Sequence, residues 1–178
     1  MNIIKILGVD PSLRNTGLAI VSYDSELSPN DPKAFSTEGC QVLTNPIKFK
    51  GTDAILNMID MMFEQSQKIE YQCVDNVLIE SPSIMFNKTW AGGAISSIAH
   101  ISGAAVPIFG ISKSLLFRPN EWNKTRKKDV THSNTVSYLG NPEIWGYVKR
   151  VKSEKFMEHI LDAASMALWY LKCNYLEE

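Results

Sequence analysis

Apolar and polar positions along the chain fall into two periods, and these predict the elements. Ile3, Ile4, Ile6, Leu7 and Val9 form a near-continuous apolar run, the pattern of a strand covered on both faces. Asp10 and Pro11 end it. A second strand is expected over Thr16–Tyr23. A Ser/Pro/Asp/Asn-rich loop over Asp24–Lys33 precedes a third strand over Phe35–Leu43. The links are short, so these three predict an antiparallel meander. The period then lengthens. Thr52 is placed to cap a helix over Asp53–Ile69 whose apolar face carries Ile55, Leu56, Ile59, Met62 and Phe63.

Cys73–Glu80 returns to a strand with Val77, Leu78 and Ile79 apolar, Glu80 closing the run and Pro82 stopping it. Asn87–Val106 is rich in Ala, Gly and Ser and reads as a small-residue helix. A short strand follows over Val106–Ile111. Ser153 caps a last helix reaching about Leu176, with Phe156, Met157, Ile160, Leu161, Ala164, Leu168 and Leu171 on its apolar face. The expected fold is α/β, a five-stranded mixed sheet with its first three strands antiparallel and helices on both faces. Its 178 residues predict a single domain, 1–178.

Charge alters the picture only locally. The formal net charge is −1, but Lys113–Lys155 holds ten cations against four acids, a balance of +6 that leaves −7 for the rest. Such separation points to a face that meets a polyanion. Cys40, Cys73 and Cys173 form no CxxC pattern, no signal-peptide pattern opens the chain, and no apolar run reaches about 18 residues. We therefore expect a cytoplasmic protein with no membrane contact.

Candidate chemistry lies at the ends of the apolar runs. Asp10 and Glu80 each close a buried strand, and a carboxylate there needs a partner. His159 and Asp162 stand three apart, one turn from each other on the last helix. Three carboxylates and an imidazole in one pocket suit Mg²⁺ or Mn²⁺. Two such ions about 4 Å apart would suit phosphodiester hydrolysis. Ser-His-Asp or Cys-His arrangements are not needed for that chemistry. An actin-like nucleotide-binding fold would need a second domain, for which 178 residues leave no room.

Three blocks then carry a resemblance. Leu7-Gly-Val-Asp-Pro-Ser-Leu-Arg-Asn-Thr-Gly-Leu-Ala-Ile, Val77-Leu-Ile-Glu-Ser-Pro and His159-Ile-Leu-Asp-Ala-Ala-Ser-Met-Ala-Leu resemble the motif blocks of the RuvC-type Holliday junction resolvases, nucleases of the RNase H-like superfamily. The resemblance covers nearly the whole chain. It implies a homodimer that cuts four-way DNA junctions by paired symmetric nicks in recombination and repair. It implies that Asp10, Glu80, His159 and Asp162 are catalytic and metal-binding, with two Mg²⁺ (or Mn²⁺) ions per site and no small-molecule cofactor. Phe86 or Met85 would enter the junction centre, and Lys88, Lys124, Arg126, Lys127 and Lys128 would contact DNA. Other branched DNA, or structured RNA, is the alternative substrate. A DNA-binding protein without activity is a weaker reading, because clustered acids facing phosphates give a pure binder nothing.

Overall fold

The computed structural model describes residues 2–31, 33–82, 92–123, 127–140 and 154–176, without the side chains of 92–94 and 154–155. Strands β1 (Ile3–Asp10), β2 (Asn15–Asp24) and β3 (Phe35–Thr44) form the expected antiparallel meander. Helices α1 (Gly51–Ser66) and α2 (Ile69–Gln72) lead to β4 (Asn76–Glu80), which lies parallel to β1. Helix α3 (Gly92–Phe109) leads to β5 (Ser114–Phe117), parallel to β4. The short α4 (Pro119–Asn123), α5 (Lys128–Leu139) and α6 (Glu154–Tyr175) complete the described chain. The sheet order is β3-β2-β1-β4-β5.

Successive strand residues point to opposite faces, and this divides the core. Leu7, Val9, Leu18, Ile20, Val77 and Ile79 face α1 and α3, where Met58, Met62, Ile101, Ala105 and Phe109 cover them. Ile6, Ala19, Val21 and Leu78 face α6, under Ile160, Ala163, Ala164, Ala167 and Leu171. The five strands and two helical layers agree with the expectation from sequence.

Several boundaries differ from that expectation. The apolar run Val106–Ile111 is not a strand: α3 continues to Phe109, and β5 comes later. Ile101, Ala105 and Phe109 are buried at intervals of four, a helical period that the local apolar density hid. Pro107 is accommodated inside this helix, and Gly110, at φ 110°, turns the chain out of it. In α1 the buried stripe is Ala54, Met58, Met62 and Ser66, whereas Leu56 and Phe63 are more than half exposed. Lys50, not Thr52, is the N-cap residue of α1, and no side chain caps it. The helix ends at Ser66, and residues 69–72 of the expected helix-to-strand link fold as α2. Strand β4 is correspondingly shorter than expected. The cap expected at Ser153 lies outside the described residues.

Candidate active site

Strand parity carries both strand-end acids to one face of the sheet. Asp10 follows Ile6 and Gly8 on the α6 side of β1, and Glu80 follows Leu78 on the same side of β4. The β1–β4 register pairs Val9 with Ile79, so Asp10 and Glu80 stand one step beyond that pair on neighbouring strands. The end of β4 is pinned twice. The Ser102 hydroxyl of α3 donates to the Glu80 carbonyl at 2.9 Å, and the Ser81 amide donates to the Phe117 carbonyl at 2.8 Å.

The turn after Asp10 is held by its own polar groups. Thr16 Oγ1 donates to the Ser12 carbonyl (3.0 Å) and accepts from the Ser12 amide (3.1 Å). Asn45, buried at 2% exposure, braces the turn from β3: its amide donates to the Arg14 carbonyl at 2.8 Å and its Nδ2 to the Leu13 carbonyl at 3.0 Å.

Helix α6 reaches this end of the sheet because two glycines let its backbone in. A Cβ on Gly8 would overlap the Ala163 carbonyl, and one on Gly17 would overlap that of His159. Gly17 is the β2 residue paired with Asp10. Seating the helix there brings His159 Nδ1 to 2.6 Å from Asp10 Oδ2, where the ring N–H donates to the carboxylate. One turn further, Asp162 is held from α5. His132 Nε2–H donates to Asp162 Oδ1 at 2.7 Å, and the Lys128 ammonium lies 2.6 Å from Oδ2. Lys128 also reaches Glu158 at 3.5 Å.

The electrostatics follow from burying several acids together. Burial, and then repulsion from Asp10 and Asp162, pushes the Glu80 carboxyl up to about 8, against the pull of Lys128. Asp10 is also raised, by burial chiefly, with the Asp162 charge adding and the His159 contact opposing. Burial disfavours the His159 cation, yet the hydrogen bond and charge of Asp10 outweigh it and raise the imidazole. Lys128 is raised as well: burial opposes its charge, but Asp162, Glu158 and Asp10 together prevail. The pocket thus crowds acids away from water, and the Lys128 ammonium lies among them against Asp162.

Asp10, Glu80 and the His159/Asp162 pair of α6, from three separate parts of the chain, therefore lie at one end of the sheet. Among the described residues, no three His, Cys, Asp or Glu side chains converge as a ready-made cage for an ion. The donor chemistry still fits a hard divalent cation: carboxylate oxygens with one imidazole, under mutual repulsion that a second positive centre would relieve. Of the expected DNA-contacting residues, Lys127 is exposed at the start of α5, while Lys128 is engaged by Asp162. Phe86 (with Met85), Lys88, Lys124 and Arg126 lie outside the described residues. His132 is the residue that sequence reasoning missed. Its only signal was a position four after Lys128, on the same helix face.

No family model and no curated protein matches the sequence. Solved structures do match. T. thermophilus RuvC in complex with a Holliday junction substrate aligns at 13% identity over 97% of this chain and 98% of its own, with a TM-score of 0.66. The yeast mitochondrial Holliday junction resolvase aligns at 10% identity over 93% and 80%, with a TM-score of 0.57. The fowlpox virus resolvase, in complex with Holliday junction DNA, aligns at 16% identity over 96% and 98%, with a TM-score of 0.52. Over nearly all of its length, this chain has the RNase H-like fold of the RuvC-type Holliday junction resolvases.

Proposed function

We propose that this protein is a metal-dependent, structure-selective endodeoxyribonuclease that resolves four-way DNA junctions as a homodimer, cutting symmetrically. The observation that supports the reading is the contact of His159 with Asp10, with Glu80 and Asp162 near enough to act on it electrostatically, in a fold shared with solved resolvases. Asp10, Glu80 and Asp162, with His159, would hold two Mg²⁺ or Mn²⁺ ions. When bound, these supply an activated water and charge stabilisation for the leaving 3′ oxygen. His159 holds a proton at Nδ1 against Asp10 Oδ2, within hydrogen-bonding reach for moving it. Burial and its acidic neighbours raise the Glu80 carboxyl to about 8, so bound cations would favour its carboxylate form. Lys127 and the basic stretch around it would meet the phosphates of the junction arms. A two-fold dimer matches a two-fold substrate.

The test is nicking of a synthetic four-way junction with Mg²⁺, beside a flap and an RNA/DNA hybrid at matched salt. Wild type should cut the junction fastest, while Asp10→Asn and Glu80→Gln should bind the junction without cutting it. Equal cutting by either variant would refute the site. Faster cutting of the flap or hybrid would favour an RNase H-like nuclease acting on other branched DNA or on structured RNA.

A further inference from the structure

Helices α5 and α6 run parallel, and polar contacts between them recur at constant sequence offsets. Lys128 meets Glu158, His132 meets Asp162 and Thr135 meets Ser165, each thirty residues apart. Lys128 to Asp162 and Tyr138 to Lys172 are one turn longer, at thirty-four. The Thr135–Ser165 hydroxyl pair, 2.6 Å apart and buried, fixes the register one turn beyond His132. The His132–Asp162 contact is therefore not an incidental surface pair. Both side chains are largely buried, at 14% and 12% exposure, and the helix register dictates their meeting.

Asp162 consequently has both oxygens taken by α5, but by groups of different kinds. Oδ1 is held by a ring on a short, stiff side chain whose position the packing sets. Oδ2 is held by an ammonium on a flexible four-carbon stem that is about half exposed. The first contact orients the carboxylate, whereas the second can be exchanged. A carboxylate that must hold a metal needs its orientation fixed and one oxygen available.

We infer that His132 is a positioning residue that fixes Asp162 through Oδ1, and that Lys128 is a tethered counter-cation on Oδ2 which a divalent metal displaces. The inference rests on the site assignment proposed above, and it adds a signed pair of effects. Losing His132 frees the carboxylate to rotate and weakens metal binding. Losing Lys128 removes a competitor and strengthens it.

The experiment is Mn²⁺ binding to the full-length protein by titration calorimetry without DNA, with melting temperature recorded in parallel. Asp162→Asn serves as the reference. His132→Leu should weaken Mn²⁺ binding by about 10- to 100-fold, the usual cost of losing such an outer partner. His132→Gln, which keeps an N–H donor, should recover most of that loss. Lys128→Met should bind Mn²⁺ more tightly than wild type. With junction and saturating Mn²⁺, His132→Leu should lower kcat and leave KM unchanged, which a merely structural residue would not do.

Wild-type Mn²⁺ affinity in His132→Leu, with Asp162→Asn defective, overturns the inference and leaves the proposed site intact. Wild-type affinity in Asp162→Asn as well would instead remove the site. Should His132→Leu fail to fold, Lys128→Met decides: unchanged or weakened Mn²⁺ binding there refutes the exchange.

Discussion

Substituting Gly17 with alanine tests whether backbone-to-backbone seating of α6 builds the site. Gly17 lies across from Asp10, and an added Cβ would overlap the carbonyl of His159 and come within 3.0 Å of the His159 Cβ. Neither partner can rotate away, because both sides of the contact are main chain. Relief requires α6 to retreat by about 1 Å to restore ordinary van der Waals separation. That movement would lengthen the 2.6 Å hydrogen bond between His159 and Asp10 beyond useful range. Overpacking of this kind costs about 1–3 kcal/mol, here toward the upper end because the clash is with backbone atoms of α6. For a chain of this length the melting temperature should fall by roughly 5–10 °C. A displacement of about 1 Å in a catalytic group can lower the rate about 100-fold. Junction cleavage measured well below the melting transition separates the two effects. Gly39→Ala is the control, since nothing lies within 4 Å of its added Cβ. It should change stability by no more than about 0.5 kcal/mol. A Gly17→Ala protein with wild-type melting and wild-type cleavage would refute this account.

Other outcomes follow from the same geometry. The folded protein keeps a proton on Glu80 until about 8, whereas the unfolded chain releases it near 4.5. Without divalent metal, the stability that Glu80 contributes is therefore full below about 4.5, falls as pH rises, and is gone above about 8. Melting temperatures between about pH 5 and 8.5 should show this fall, and Glu80→Gln should flatten it. Titrating Mn²⁺ at pH 7 in buffers of different ionisation enthalpy should reveal proton release, much of it absent in Glu80→Gln. Thr135→Val leaves the buried Ser165 hydroxyl without its Thr135 partner and should cost about 1–2 kcal/mol, whereas Ser165→Ala should cost less, because Thr135 Oγ1 still donates to the Thr131 carbonyl. The double variant should cost less than the sum by denaturant unfolding. Asn45→Ala keeps the backbone bond to Arg14 but removes the buried side-chain bonds to the Leu13 and Ala54 carbonyls and from Asn57, and should cost about 2–3 kcal/mol by the same measurement.

The strand-end acids were legible in the sequence because a buried apolar run that stops on one charge is unusual. Two such runs fixed Asp10 and Glu80 without any knowledge of pairing. The three-residue interval between His159 and Asp162 was enough to place them on one helix face, though not to say which strands that face would meet. The strand read into Val106–Ile111 went wrong for a physical reason: four large apolar residues within six positions satisfy a short strand and a helix end equally well. Only the burial of Ile101 and Ala105 upstream reveals the period of four. Leu56 and Phe63 misled for a related reason. They flank the true stripe of α1 and are more hydrophobic than Ala54 and Ser66, which occupy it.

Helix α5 was invisible to pattern reading because its buried positions are Thr135 and Leu139, too few and too mixed to define an apolar face. Its role comes from polar register instead. A hydroxyl pair, an imidazole–carboxylate pair and an ammonium–carboxylate pair recur at one offset along α6. Such contacts are individually weak signals in a sequence, since Thr, His and Lys are common on solvated faces. They become specific only when α6 is fixed, and α6 is fixed by the two glycines beneath it. The order of dependence therefore runs from Gly8 and Gly17, to the depth of α6, to the place of Asp162, and last to the grip of α5. A defect at the glycines should reach His159 and Asp162 together. A defect in α5 should reach Asp162 alone, and leave the His159–Asp10 contact as it is.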